Sequence, residues 1–372
     1  MIRSLKRYHK KHPKKSILFI IFFAFIFGIL FYKFKFFPYS YLSKIYHKLK
    51  TEPFNYKEIS FFNELFTENI IDKNLLIYKE VNSPSELWYR IKEIEVPLSK
   101  FSHNLFDSIV ILNDSIFTLN KFNVKVINYS LYGNLYKTYS FVNQIKSDTA
   151  WLIIPGSDPN QSTAIVLEYK DNYHYGLYSA IKNNLNCYVF IKPNEDILAW
   201  HNGKKKINGN AYYNTLINNG SSFGYSYLVQ SVAIVKYLKS KSKFIIISGL
   251  SQGGMACLLN AVFSNPNVAI ISSGYSVLND TIYISGFDQM VIPNLRSIFS
   301  SYQLDSLISL RNTKYLFTYG SNDNSFYRDT SMLKNNKMIF KNNNNVNIHT
   351  FIGGHQYPVN VILNWLKNKC VE

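Results

Sequence analysis

Phe244 to Ile247 is a short apolar run, mostly β-branched, of the kind that forms a strand buried on both faces. It breaks into Ser248-Gly249-Leu250-Ser251-Gln252-Gly253-Gly254, and from Met255 onward Ala256, Leu258, Leu259 and Val262 mark a helix. A strand that becomes a helix through a G-x-S-x-G pentapeptide leaves the chain little freedom. The serine sits on a sharp, strained corner above the sheet. A side chain at Gly249 or Gly253 would collide with its neighbours across so tight a turn. The amide of Gln252 opens the helix and points toward the serine, where it can bind a developing oxyanion.

The chain carries its own control for this pattern. Gly220-Ser221-Ser222-Phe223-Gly224 also fits G-x-S-x-G, but it follows Asn214 to Asn219 and has no buried strand before it. It reads as a turn in which Ser221 or Ser222 caps the next helix, Phe223 to Leu238. Strand and helix patterns alternate around the first pentapeptide. Phe122 to Tyr129 and Leu131 to Phe141 suggest a hairpin around Gly133. Trp151 to Ile154, Cys187 to Ile191, Val268 to Ser272, Tyr315 to Tyr319 and Val346 to Ile352 read as strands. Tyr173 to Lys182 and Val359 to Leu366 read as helices. Such alternation implies a mostly parallel sheet.

On this strand–elbow–helix context the chain resembles the α/β-hydrolase superfamily over roughly residues 120 to 370. The resemblance implies a mostly parallel central sheet with helices on both faces. It also implies a cap insertion, here at about 273–312, where the alternation is interrupted by a long aromatic stretch. It further implies a catalytic order of serine, acid, histidine. Asp323 follows the strand Tyr315 to Tyr319 and occupies the acid's place; His355 follows Gly353-Gly354 at the end of the last strand. Ser251, Asp323 and His355 are therefore the expected catalytic residues. Asp329 is the alternative acid, and His349, within the last strand, the alternative base. His174 and His201 precede the elbow and break the order; a solvated or capping role is expected for them, with lining of the cleft as the alternative. The superfamily's second oxyanion amide comes from the loop after Trp151 to Ile154, here Pro155-Gly156-Ser157-Asp158-Pro159. Gly156 or Ser157 is the expected donor beside Gln252.

The implied chemistry is acyl transfer. His355 takes the serine proton, Asp323 holds the imidazole, and water resolves the acyl-enzyme. The expected reaction is hydrolysis of a carboxylic ester, with an acylated sugar or glycan as an analogy-based substrate, and no cofactor or metal. A serine peptidase of the same fold, an acyltransferase and a non-catalytic binding protein are the competing readings. An active-site probe that reacts with the serine separates the last from the others, and ester against peptide substrates separates the first.

The N-terminal third is different. Ile17 to Tyr32 is unbroken apolar sequence behind the basic residues Arg3, Lys6, Arg7, Lys10, Lys11, Lys14 and Lys15. That length suits one membrane-spanning helix, and the bulky residues that follow offer no signal-peptide cleavage site. The expected organisation is a basic tail over 1–15, a signal-anchor helix over 16–37, a juxtamembrane helical region over 38–119 and the hydrolase domain over 120–372. The basic tail places the N-terminus in the cytoplasm and the catalytic domain on the outer side. The net charge of +18 lies partly in that tail and is otherwise spread thinly, which disfavours nucleic acid as a partner. An anionic membrane surface or an acidic glycan suits it better. The three cysteines show no metal spacing, and an odd number cannot all pair within one chain.

Overall fold

The computed structural model describes residues 106–119, 122–131, 133–143, 145–200, 213–214, 216, 222–274, 292, 301–323, 334 and 337–370. All of them belong to the second of the two units into which the chain divides, Ile59–Glu372. The expected basic tail, the signal-anchor over 16–37, His201, Asp329 and most of the cap stretch lie outside the described residues. Among the described residues no helix is long and apolar enough to cross a membrane.

Among the described residues nine strands form one sheet: β1 Val110–Leu119, β2 Phe122–Leu131, β3 Asn134–Val142, β4 Thr149–Ile154, β5 Asn186–Ile191, β6 Phe244–Leu250, β7 Val268–Ser272, β8 Lys314–Gly320 and β9 Val346–Phe351. Their spatial order is β1-β2-β3-β5-β4-β6-β7-β8-β9. The first three strands are antiparallel to their neighbours, and β3 meets β5 antiparallel. From β5 to β9 every pairing is parallel. The order reverses beside β4 and β6, so the carboxyl ends of those two strands flank a crevice where ligands collect in sheets of this kind.

The sheet takes in β1, ten residues on the amino side of the boundary expected at 120. This strand pairs with β2 along an antiparallel ladder, and a side-chain tie adds to that pairing. Lys125 on β2 is buried, and its ammonium meets Asp114 of β1 at 2.5 Å. Val110, Leu112 and Ile116 stay exposed on this edge strand, which blurs the alternation a strand normally shows.

Among the described residues seven helices or helical turns accompany these strands: α1 Gln161–Val166, α2 Leu177–Ile181, α3 Ile197–Trp200, α4 Phe223–Lys239, α5 Gln252–Ser264, α6 Ser301–Ser309 and α7 Val359–Cys370. One set of alternating strand residues, among them Leu152, Phe190, Ile247, Ile271 and Phe317, joins α4 and α5 in a single apolar core. The intervening residues Trp151, Val189, Ile246, Ile270 and Leu316 are just as buried, so both faces of the parallel region are covered. At the start of α4, Ser222 accepts a hydrogen bond from the Tyr225 amide at 3.1 Å, the capping role expected of that serine pair. The helix expected over 173–182 is shorter, because Gly176 at φ +96° starts α2 only at Leu177.

Two ties clamp the chain where it leaves β7 and where it enters β8. The Ser273 amide donates to Thr318 O at 2.9 Å. The Thr313 hydroxyl donates to Pro266 O at 2.5 Å.

Candidate active site

Ser251 follows β6 directly and precedes the first turn of α5. Its backbone is at φ 60°, ψ −127°, a conformation that L residues rarely adopt and that turns the chain through the corner. The corner is held on both sides. The Ser251 amide donates to Ser272 O on β7 at 3.0 Å, and the Gly254 amide donates back to Ser251 O at 2.9 Å. A Cβ on Gly253 would stand 2.1 Å from Ile154 O and 2.5 Å from Pro155 O, so only glycine lets the elbow settle against the end of β4. Gln252 is the first residue of α5. An amide at that position has no intrahelical acceptor, and the helix dipole adds positive potential there.

Asp323 and His355 come together at the carboxyl ends of β8 and β9. The His355 Nδ1 lies 2.9 Å from Asp323 Oδ2. Because an ionised carboxylate only accepts, Nδ1 carries the hydrogen and Nε2 is left as the base. Asp323 is fully buried, while a quarter of the His355 side chain is exposed. The backbone brings the pair together. Ser321 N donates to Phe351 O and Asn322 N to Gly353 O, both at 2.9 Å. Gly320 permits this approach, since a Cβ there would lie 2.3 Å from Gly354 O. His349, the alternative base, sits exposed within β9 opposite Thr318.

The loop after β4 is held by distant side chains. The buried Tyr227 hydroxyl donates to Pro155 O. The Gly156 amide donates to His174 Nε2 at 2.9 Å. Lys192 Nζ donates to Gly156 O, and to Asp158 O at 2.6 Å. Lys192 also faces Glu195 at 3.9 Å, and both are fully buried. Glu195 in turn accepts from the Ser162 amide at 3.1 Å and hydroxyl at 2.6 Å. Burial pushes the lysine down and the glutamate up from their ordinary pKa values, each partly opposed by the other's charge.

These bonds set the two expected oxyanion donors apart. The Gly156 N–H already donates to His174. In a trans peptide the C=O and the following N–H point in opposite directions. Lys192 holds the Gly156 carbonyl inward, so the Ser157 N–H faces the other way. There the Ser157 amide and hydroxyl lie beside the Tyr173 oxygen.

His174 is also not the solvated residue the sequence suggested. It is 1% exposed. Burial, then the charges of Lys192 and His355, hold its pKa well below the ordinary histidine value, so it stays neutral and accepts through Nε2. Tyr173, Lys192, Glu195 and Tyr227 were not singled out from sequence. The available signal was Lys192 immediately after the apolar run of β5, with an acidic residue three positions on. A charge placed at the carboxyl end of a buried parallel strand needs an internal partner. Among the described residues no cluster of ligating side chains could hold a metal. Cys187 and Cys257 are buried free thiols, and burial raises the pKa of both.

Several solved structures align with this chain at low sequence identity. A Bacteroides fragilis protein assigned as an acetyl xylan esterase aligns at 13% identity and TM-score 0.47, covering 81% of this chain and 100% of its own. A carbohydrate esterase family 15 glucuronoyl esterase from Caldicellulosiruptor kristjansonii aligns at 13% identity and TM-score 0.42, covering 82% and 91%. A cold-adapted esterase from an Arctic intertidal metagenomic library aligns at 12% identity and TM-score 0.40, covering 68% and 97%. None of the curated proteins matches the sequence. A family match spans residues 166–361, more than half of the chain, and includes the elbow, the acid and the histidine. The chain is an α/β-hydrolase and belongs to the serine hydrolase (FSH1) family.

Proposed function

We propose that this serine hydrolase cleaves carboxylic esters through an acyl-enzyme formed on Ser251. The observation that carries the reading is the His355–Asp323 hydrogen bond at 2.9 Å at the carboxyl ends of β8 and β9, taken with a serine strained to φ 60° at the head of α5 in the same sheet. His355 Nε2 accepts the proton as the Ser251 oxygen attacks the carbonyl. Asp323 keeps the imidazole in the right tautomer and stabilises the imidazolium. The Gln252 amide receives the oxyanion from the side of α5, and the second donor comes from the Ser157 side. His355 then gives its proton to the departing alcohol, and a water activated by the same imidazole releases the acid.

Esters of short acyl groups on a sugar or glycan are the proposed substrates. The esterases among the structural neighbours and the net charge of +18 are consistent with an acylated, acidic glycan. Anchoring by residues 16–37, with the N-terminus cytoplasmic and the catalytic domain outside, belongs to the same proposal. It rests on the apolar run Ile17 to Tyr32 behind a basic tail.

The test is turnover of p-nitrophenyl esters of graded chain length, with wild type beside Ser251→Ala. Wild type should prefer short acyl chains and the variant should be inactive. Equal turnover by the two proteins would remove the mechanism. Asp323→Asn should retain the fold and lose about 10⁴ in kcat, because the imidazole is then held in the wrong tautomer.

A further inference from the structure

Tyr173 plays no part in the chemistry described so far, yet its side chain lies between the loop after β4 and His355. Its oxygen lies directly over the Cα of Gly156, so that a Cβ there would stand 2.1 Å from it. The Ser157 amide and hydroxyl lie against the same oxygen. The Tyr173 ring packs on the His355 ring, with centroids 5.4 Å apart, and on the buried His174 at 4.6 Å. The hydroxyl is buried and makes no well-formed hydrogen bond among the described residues. A buried phenolic hydroxyl without such a bond is costly, and one beside a catalytic base has a use for its hydrogen.

We propose that the Tyr173 hydroxyl is itself an oxyanion donor, and that the Ser157 amide acts through it. The Ser157 N–H donates to the phenolic oxygen, and the phenolic O–H donates to the substrate oxygen as it becomes negative. The two oxyanion bonds then come from Tyr173 and the Gln252 amide. No proton changes hands at Tyr173: it donates a hydrogen bond and keeps its hydrogen. Burial, with the charge of Asp158 as the next cause, raises its pKa far above the ordinary tyrosine value, so the phenol remains a donor throughout the working range. An amide-to-phenol chain is polarised along its length, which strengthens the final bond to the anion.

His174 and Lys192 fit this role as positioning residues. Lys192 turns the Ser157 N–H toward the phenol, and His174 packs on the tyrosine ring while holding the preceding peptide.

The inference rests on acyl transfer at Ser251, and the test separates the two. Wild-type protein is labelled with a p-nitrophenyl alkylphosphonate, and the adduct is crystallised. The expected result is phosphorus on Ser251 Oγ with its unesterified oxygen within 3.2 Å of Tyr173 Oη, the outer range of an ordinary hydrogen bond. That oxygen bonded to the Ser157 amide, with Tyr173 Oη out of reach, would overturn the role of the phenol while leaving the hydrolase reading intact. No label on Ser251 would overturn both. In solution, Tyr173→Phe should lower kcat by about 10²-fold, as loss of one oxyanion donor does, with KM within about twofold. It should also weaken a trifluoromethyl ketone inhibitor by a similar factor and leave the shape of the pH–rate profile unmoved. A folded variant with wild-type kcat, or one whose loss falls on KM alone, would refute the assignment.

Discussion

The elbow at 249–253 and the loop at 155–160 face the same reaction but are built by opposite means. At the elbow the geometry is local. A buried strand, two close-approach glycines and a helix start put Ser251 at φ 60° with contacts drawn almost wholly from adjacent backbone. The loop has no comparable internal structure. Its carbonyls and one amide are fastened by Tyr227, His174 and Lys192, side chains contributed from well outside it. The elbow therefore resists change through steric exclusion, whereas the loop resists through a few polar bonds in a dry interior, each of which can be cut singly.

The largest expected effect breaks the elbow chemically. Ser251→Ala should cost about 10⁶ in kcat with little change in melting temperature, since a buried corner loses one oxygen and keeps its backbone. Gly253→Ala comes next and breaks it sterically. The added carbon meets backbone oxygens of Ile154 and Pro155, which cannot rotate away as a flexible side chain could. A loss of about 1–3 kcal/mol in denaturant unfolding is expected. A fall of about 10² in kcat should accompany it from displacement of the serine.

For the loop, Lys192→Met should reduce stability by about 3–5 kcal/mol, because Glu195 is left buried without its partner. The double variant Lys192→Met, Glu195→Leu should recover most of that stability in urea titrations. It should not recover activity, since nothing then orients the Gly156–Ser157 peptide. Recovery of both would show that the loop needs no fastening.

The smallest effect is a change in acid sensitivity. His174 is held neutral well below 6.5 in the folded protein, so the unfolded chain binds a proton there that the native state refuses. Stability attached to this residue is therefore full above pH 6.5 and declines as pH falls below it. The decline is about 1.4 kcal/mol per pH unit until the native-state pKa is reached. Lys192, His355, Tyr173 and Tyr357 surround the ring and set that resistance to charging. His174→Gln keeps an acceptor for the Gly156 amide and removes the titration. Its melting temperature should fall less steeply than that of wild type between pH 6 and 4.5. Parallel curves would mean His174 carries no buried neutral charge state of consequence.

The same contrast explains what the sequence made legible. The elbow was readable because its reasons are neighbours in sequence, from Phe244 to Met255. Asp323 and His355 were readable by their places at strand ends, with Gly353 and Gly354 marking the turn. The loop was readable only as a location. Telling the Gly156 and Ser157 amides apart required knowing that His174, Lys192 and Tyr227 reach Pro155 and Gly156, contacts that no periodicity encodes. His174 looked solvated because a histidine before the elbow has no place in the catalytic order, and order says nothing about packing. Strand β1 was missed for a related reason. It is joined to β2 by a backbone ladder and a part-buried Lys125–Asp114 tie across the hairpin, while Val110, Leu112 and Ile116 point to solvent.

The clamps at Ser273 and Thr313 have a consequence for how such an enzyme changes over evolutionary time. The chain departs from β7 at a fixed peg and returns to β8 at another, and neither peg draws on what lies between them. Gly274 packs against the elbow, and Ile292, Leu304 and Ile308 fill the core, but exposed positions in this span such as Leu310 can be rewritten without disturbing the reacting groups. New selectivity can be tried out in that span while the machinery for bond cleavage stays untouched.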